Sequence, residues 1–361
     1  MTAPRLPTPR PELRSFTAYG ASRAPATGVR LLANEWPEPN PAGAHITQAE
    51  LDRIHLNRYP GPAVELRAIL SERYGVAPDQ LIFGNGSNDV LLSTFLIFGG
   101  HGRTTLLFQP TYAMHARLST IAGGRVANEQ VGLPYVLTRA RALEAMARVR
   151  PEIVCFCTPN NPTGGLIDED VILSIAEAYP ETLVLVDEAY SDFPGTTVLP
   201  ALEDHPNVVV SKTFSKVHAA AGLRMGILVV GRELAEAFRA IQFPANVSVV
   251  TYALAAKIAR DTVSVRRRVE LCRTERERVY EALRRVDGIE AFPGEANFLL
   301  FRIRGDTAAA AASFAREGVL LRDMSSWTGC EGCLRVSIGT PDENDRFIAA
   351  LASVFEPAPA A

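Results

Sequence analysis

Ser211-Lys212-Thr213-Phe214-Ser215-Lys216, followed by Ala221-Gly222-Leu223-Arg224, carries the residue types that would hold a carbonyl and a phosphate at one place. A lysine amine can form a Schiff base with a carbonyl. Neighbouring hydroxyls and a planar guanidinium supply donors for a phosphate. Taken alone the segment is ordinary, because Ser, Thr, Lys and Arg are common in surface turns. It also offers two lysines for one covalent role.

Three other loops carry suitable groups. Phe83-Gly84-Asn85-Gly86-Ser87-Asn88-Asp89 lies between a short strand pattern and an apolar helix. Its glycines let backbone N–H groups approach an anion at a helix N-terminus. By itself it reads as a glycine turn with an Asn or Asp cap, and it is not the dinucleotide G-x-G-x-x-G pattern. Thr158-Pro159-Asn160-Asn161-Pro162-Thr163-Gly164-Gly165 is a rigid turn that presents Asn161 as a donor. Val186-Asp187-Glu188-Ala189-Tyr190 ends a hydrophobic strand, so Asp187 should be buried and need a cation or donor. A protonated ring nitrogen would serve, and Tyr190 could reach the same ligand. In isolation Asp187 reads as a helix cap.

The elements that must position these loops alternate. Short apolar runs at 104–108, 153–157, 183–186, 208–210 and 227–230 read as strands. Helical patterns at 113–122, 168–178 and 233–241 separate them. Continuous apolar strands between helices predict a mostly parallel sheet covered on both faces. Function in such a sheet sits on loops at the carboxyl ends of strands, and all four loops fit that place. After Pro244 the texture changes. A long helical stretch at 252–285 precedes strands at 298–301 and 334–338, with helices at 308–317 and 343–355. The division expected is an N-terminal arm with part of the small domain at 1–40, a large domain at 41–243 and a small C-terminal domain at 244–361, with a hinge near 242–250.

Composition bounds the function. The chain has 361 residues, 47% of them apolar and 21% charged, and a net charge of −3. That charge argues against a nucleic-acid partner. No apolar run reaches transmembrane length, so no membrane partner is expected. Met1 to Glu12 is proline-rich and does not read as a secretory signal. Five cysteines, an odd number, fit a reducing, cytoplasmic setting. Cys330-Glu331-Gly332-Cys333 has no second pair or histidine cluster beside it, so it reads as incidental thiols in a turn and no metal is expected.

Together the four loops resemble the fold-type I pyridoxal-phosphate enzymes, the aspartate aminotransferase superfamily, over nearly the whole chain. Asn161-Pro162-Thr163-Gly164, Asp187-Glu188-Ala189-Tyr190, and Ser215-Lys216 with Gly222-Leu223-Arg224 stand in that family's order and at similar spacing. The resemblance implies an α/β fold with an aspartate-aminotransferase-like large domain and a smaller α+β domain. It implies pyridoxal 5′-phosphate as cofactor, bonded to Lys216. The spacing to Arg224 and the preceding Asp187 single out Lys216; Lys212 becomes a flanking residue with no role. Asp187 would pair with the pyridine nitrogen, and Asn161 and Tyr190 with the phenolic oxygen. Ser87, Asn88, Thr213, Ser215 and Arg224 would hold the phosphate, and Tyr112 would stack on the ring.

More local features are similar to the histidinol-phosphate aminotransferases. They are Leu32-Ala33-Asn34-Glu35 with Pro37, Asn57-Arg58-Tyr59-Pro60, Ala296-Asn297-Phe298, Val319 to Asp323, and Cys333 to Thr340. This likeness implies a homodimer in which Tyr59 reaches the neighbouring subunit's cofactor phosphate. It implies that Arg335 clamps a substrate α-carboxylate, that Arg322 and Tyr19 meet the substrate's phosphate end, and that Asn34 lies on the substrate side. The implied reaction is transamination between histidinol phosphate and 2-oxoglutarate. An aromatic transaminase, a threonine-phosphate-type decarboxylase and a non-catalytic sensing domain are the alternatives. Three departures stand out: Trp36 where an asparagine is common, Ser87-Asn88-Asp89 in the phosphate loop, and His218-Ala219-Ala220 after the lysine. Trp36 is expected to line the substrate entrance.

Overall fold

The computed structural model describes residues 8, 10–17, 27–41 and 46–355. Thirteen strands run in chain order among them: β1 (Val29–Arg30), β2 (Leu81–Asn85), β3 (Thr104–Gln109), β4 (Arg125–Gln130), β5 (Ile153–Cys157), β6 (Leu183–Asp187), β7 (Val208–Thr213), β8 (Met225–Val230), β9 (Ile289–Ala291), β10 (Phe298–Ile303), β11 (Val319–Leu320), β12 (Arg322–Asp323) and β13 (Cys333–Ser337).

Seven of them form one sheet in the order β2-β8-β7-β6-β5-β3-β4. Only β8 runs against its neighbours, so the sheet is mostly parallel, as expected. Its central strands are apolar through their middles because each face meets helices, and their polar residues fall toward the ends. Val184 and Val186 of β6 point into one hydrophobic cluster with Leu66, Leu70 and Phe156. Leu183 and Leu185, on the other face, pack with Leu91, Phe95 and Phe238. β4 was not foreseen from its sequence. It is the edge strand and is polar and partly exposed, so the apolar run that marks a central strand is missing.

A second sheet, β12-β13-β10-β9, is antiparallel. Its core is a third cluster in which Phe314 and Phe347 stack with centroids 5.7 Å apart. β1 pairs with β11 in parallel, Val29 opposite Val319, which stitches residues near 30 to the C-terminal part. Loop residues Tyr190, Phe193 and Val217 from the large sheet pack into the same cluster, so the two cores share a wall.

The long helix expected over 252–285 is two helices, Val249–Arg260 and Thr262–Arg284. Asp261 leaves helical geometry, and its carboxylate accepts the Ser264 N–H at 3.0 Å, capping the second helix. The first of the two lies past the expected division at 243/244, yet its Ala255, Ala256, Ile258 and Ala259 pack into the large sheet's core.

Phe347 holds the second core from one side. Phe347→Ala is expected to cost about 3–5 kcal/mol, read as a lower urea midpoint with an unchanged far-ultraviolet spectrum.

Candidate active site

The carboxyl ends of β5, β6 and β7 lie level. Cys157 pairs with Asp187, and Asp187 with Ser211. The loops beyond them, with the turn after β2, enclose a cavity of ≈ 360 Å³. Ser87, Asn88, Tyr112, Asn161, Asp187, Tyr190, Thr213, Ser215, Lys216 and Arg224 all line it, as do Asn34, Arg322 and Arg335. Two expected residues are elsewhere or undescribed. Tyr59 is 92% exposed and lies outside the cavity. Tyr19 lies outside the described residues.

One end of the cavity is built as an anion cup. The Ser87–Phe98 helix starts there with unpaired N–H groups, and Gly86 precedes it at φ +87°. A Cβ on Gly86 would collide with the Arg224 guanidinium, and one on Gly226 would collide with the Gly86 backbone. The antiparallel register of β2 and β8, Asn85 opposite Met225, brings these three residues together. Glycine is therefore needed at 86 both for its conformation and for close approach. Arg224 is itself left-handed, at φ +57°, and its Nη1 donates to the Ala221 carbonyl at 3.1 Å. Thr213 Oγ1 and Ser215 Oγ lie 3.0 Å apart beside the cup.

Asp187 is buried beneath the middle of the cavity. His115 Nε2 lies 3.0 Å from its Oδ2, and the Ala189 N–H donates to its Oδ1 at 3.2 Å. His115 escaped the sequence analysis. The available signal was its place one helical turn after Tyr112, whose ring it meets edge-on at 5.3 Å. Asp187 caps a turn, not a helix, and lines the cavity.

The far wall joins the two cores. Asn34, at φ +55°, uses every polar group it has. Its N–H donates to Ser337 Oγ (2.8 Å), and its carbonyl accepts from Asn297 Nδ2 (3.1 Å). Its Oδ1 accepts from Ser337 Oγ (3.0 Å), and its Nδ2 donates to the Tyr190 hydroxyl (3.0 Å). Asparagine tolerates the left-handed region better than most residues. Asn161 donates from Nδ2 to the same hydroxyl at 3.2 Å and accepts at Oδ1 from Arg335 Nη1 at 2.6 Å. Arg335 also donates to the Leu32 carbonyl at 3.0 Å and lies over the Phe298 ring. Trp327 lines this end too, from a loop with no recognisable signal in the sequence.

Trp36 departs from expectation. It is buried in the second core, with its Nε1 donating to Glu38 at 3.3 Å and the Arg268 guanidinium 5.9 Å from its ring. It does not line the cavity. Its indole is large and apolar, and the packed wall beside Tyr190 takes it in preference to the entrance. His218 likewise turns inward, 4.4 Å from the Phe214 ring, and burial pushes it down to about 4, so it is neutral. Cys330 and Cys333 are buried among Phe292, Leu300 and Met324.

The two lysines are sorted by their surroundings. Lys212 is paired with a buried carboxylate, Glu188 Oε2, at 2.7 Å. Lys216 Nζ donates to the Ala33 carbonyl at 3.2 Å and lies over the Tyr190 ring, with no carboxylate in ion-pair contact among the described residues. Burial first, then the charge of Arg335, lowers Lys216 to about 8. A neutral amine is the nucleophilic form, so this environment activates Lys216. The rate of aldehyde trapping at Lys216, located by peptide mapping after reduction, should rise with pH around a midpoint near 8. In Arg335→Met that midpoint should move to higher pH, because a cation opposing the protonated amine is gone.

The comparisons agree with this geometry. The family described as aminotransferase class I and II matches residues 29–351. The histidinol-phosphate aminotransferase of Corynebacterium glutamicum (strain R) is 38% identical over 360 residues, covering 96% of each chain. The fold matches the crystal structure of histidinol-phosphate aminotransferase from Sinorhizobium meliloti in complex with pyridoxal-5′-phosphate, with a TM-score of 0.82 at 22% identity and 96% of each chain covered. It also matches L-threonine-O-3-phosphate decarboxylase from Porphyromonas gingivalis, with a TM-score of 0.79 at 23% identity, covering 91% of this chain and 100% of that one. A seven-stranded mostly parallel sheet, an anion cup and an activated lysine over a buried aspartate have this family as their common owner: the chain belongs to the class I and II aminotransferases, the pyridoxal-phosphate-dependent transaminases.

Proposed function

We propose that this transaminase exchanges the amino group of histidinol phosphate with 2-oxoglutarate, giving imidazole acetol phosphate and glutamate, a step of histidine biosynthesis in the cytoplasm. The observation that carries the reading is the pairing of Arg322 and Arg335 in one cavity with Lys216. Two guanidinium groups suit an amino donor with a phosphate and an acceptor with carboxylates. The 38% identity to a histidinol-phosphate aminotransferase over nearly the whole chain favours the same donor.

The residues fit pyridoxal phosphate on their own chemistry. The cup that a Cβ would fill takes an anion, and the buried carboxylate suits a protonated ring nitrogen. The neutral fraction of Lys216 suits an aldehyde. In this reading Ser87, Asn88, Thr213, Ser215 and Arg224 hold the phosphate. Asp187, oriented by His115, keeps a proton at the ring nitrogen. Asn161 and Tyr190 hold the ring's phenolic oxygen, and Tyr112 covers its face. The bound cofactor supplies an electron sink for charge developing at the substrate Cα. Lys216 would move a proton between that carbon and the cofactor's C4′, as general base and then general acid. Arg335, fixed by Asn161 and the Leu32 carbonyl, orients the substrate's anionic group, with Asn34 beside it. Arg322 and, from the N-terminal arm, Tyr19 meet its phosphate.

The active unit in this reading is a homodimer. Leu56, Tyr59, Val64 and Phe243 are large apolar residues left exposed, as an interface requires. Tyr59 then serves the neighbouring cavity. The arm at 1–40 and residues 244–361 make up the small domain in this reading and 41–243 the large one, with the Val249–Arg260 helix packed on the large sheet and not on the second core.

In the deciding experiment, histidinol phosphate shifts the absorbance of the bound cofactor and 2-oxoglutarate restores it, while phenylalanine acts more slowly. No shift with any amino donor overturns the transaminase reading; carbon dioxide release without an oxo acid indicates a decarboxylase. Lys216→Ala should cut turnover by at least about 10³-fold and leave phosphate binding in place. Tyr59→Phe should weaken cofactor binding about tenfold with the sedimentation of a dimer unchanged; unchanged affinity would remove Tyr59 from the phosphate site.

A further inference from the structure

Nothing in the chemistry above uses Lys212, yet it has one of the most completely satisfied environments in the protein. It is 5% exposed and its partner Glu188 is 1% exposed. Lys212 Nζ lies 2.7 Å from Glu188 Oε2, donates to Ser191 Oγ at 2.8 Å and sits 5.7 Å from the centre of the Tyr74 ring. Glu188 also accepts from Thr197 Oγ1 at 2.7 Å and from the Val198 N–H at 2.8 Å. Glu188 and Asp192, with Tyr74, hold the Lys212 ammonium charged against the cost of its burial. The charges of Arg73 and Lys212, after burial, help hold His218 neutral.

A buried ion pair is not in itself a gain in stability, because an apolar pair of similar volume does as well or better. Its use lies in what it fixes. β6 and β7 pair with Asp187 opposite Ser211, and the Glu188 N–H continues the ladder to the Ser211 carbonyl at 2.9 Å. Successive strand residues point to opposite faces. Asp187 and Thr213 therefore face the cavity while their neighbours Glu188 and Lys212 face each other beneath it. Ser191, whose Oγ accepts a hydrogen bond from Lys212, directly follows Tyr190, which lines the cavity. Lys212, Glu188 and Ser191 are thus each the chain neighbour of a cavity residue.

We propose that the Lys212–Glu188 pair is a positioning clamp that sets Asp187 and Tyr190 against Thr213 and Lys216, and that the reaction depends on it through that geometry. The proposal rests on the assignment of pyridoxal phosphate to this cavity. Neither residue touches the cofactor or the substrate. Both lie on the floor's underside, and a small displacement of reacting groups is enough to cost a large part of a rate.

The test uses the loaded enzyme in four forms: wild type, Lys212→Arg, Lys212→Met, and the double variant Lys212→Met with Glu188→Leu. Lys212→Met leaves a buried unpaired carboxylate, so poor folding of that single variant is expected. The double variant removes both charges and should melt near the wild-type temperature. For the clamp, the double variant is expected to show a cofactor dissociation constant raised about tenfold. Its donor half-reaction should slow by about the same factor, and the pH midpoint of the bound cofactor's absorbance should move up by about half a unit. The midpoint moves up because Asp187, held less firmly, keeps less positive charge at the ring nitrogen, so the protonated form that the absorbance reads is opposed less. Lys212→Arg should restore all three. A double variant that folds and keeps the wild-type affinity, rate and midpoint overturns the clamp and leaves the pair purely structural. A wild-type protein that binds no pyridoxal phosphate overturns the functional reading instead, so the two failures are told apart.

Discussion

Asp187 sits at the end of a strand that is buried on both faces, and the whole site is arranged around the consequence. A carboxylate there is costly unless donors meet it. His115 and the Ala189 N–H meet it from the protein, and one direction remains open to the cavity. The strand cannot slide to expose it, because β5, β6 and β7 are locked in parallel register with an apolar cluster on either side. That rigid level is what lets loops from three strands converge on a space the size of a small ring.

The same rigidity sorts the two lysines. Lys212 and Lys216 share a segment and a side-chain chemistry, but Lys212 is inside the strand and Lys216 is beyond its end. The strand position turns Lys212 onto a buried acid and keeps it charged. The loop position leaves Lys216 half-buried near the charges of Arg335 and Arg224, and lowers it. One amine is thereby fixed as a cation and the other made available as a nucleophile.

The cavity wall is a polar network laid across the junction of two cores. Asn34 ties residues near 30 to Ser337 and Asn297, and through the Tyr190 hydroxyl it reaches Asn161 and so Arg335. The network joins five distant stretches of chain. A displacement of either core is therefore felt at Arg335, Asn161 and Tyr190 in the cavity wall.

Much of this was legible in the sequence because it is local. Runs such as Leu183 to Val186 announce a strand covered on both faces, and Asn161, Asp187, Lys216 and Arg224 sit in loops whose rigid or glycine-rich neighbours mark them. Edge strand β4 was not legible, since a strand with one open side has no apolar run to announce it. The break at Asp261 was missed because a single cap interrupts an otherwise continuous helical pattern. Tertiary structure alone decided the rest. It placed His115 behind Asp187, brought Trp327 to the cavity and turned Trp36 away from it, because burial and contact depend on what arrives from elsewhere in the chain. It also gave Lys212 its partner. Residue types and spacing singled out Lys216 and the chemistry expected of it; packing, by setting each group's distance from water and from opposite charge, decided how each lysine is charged.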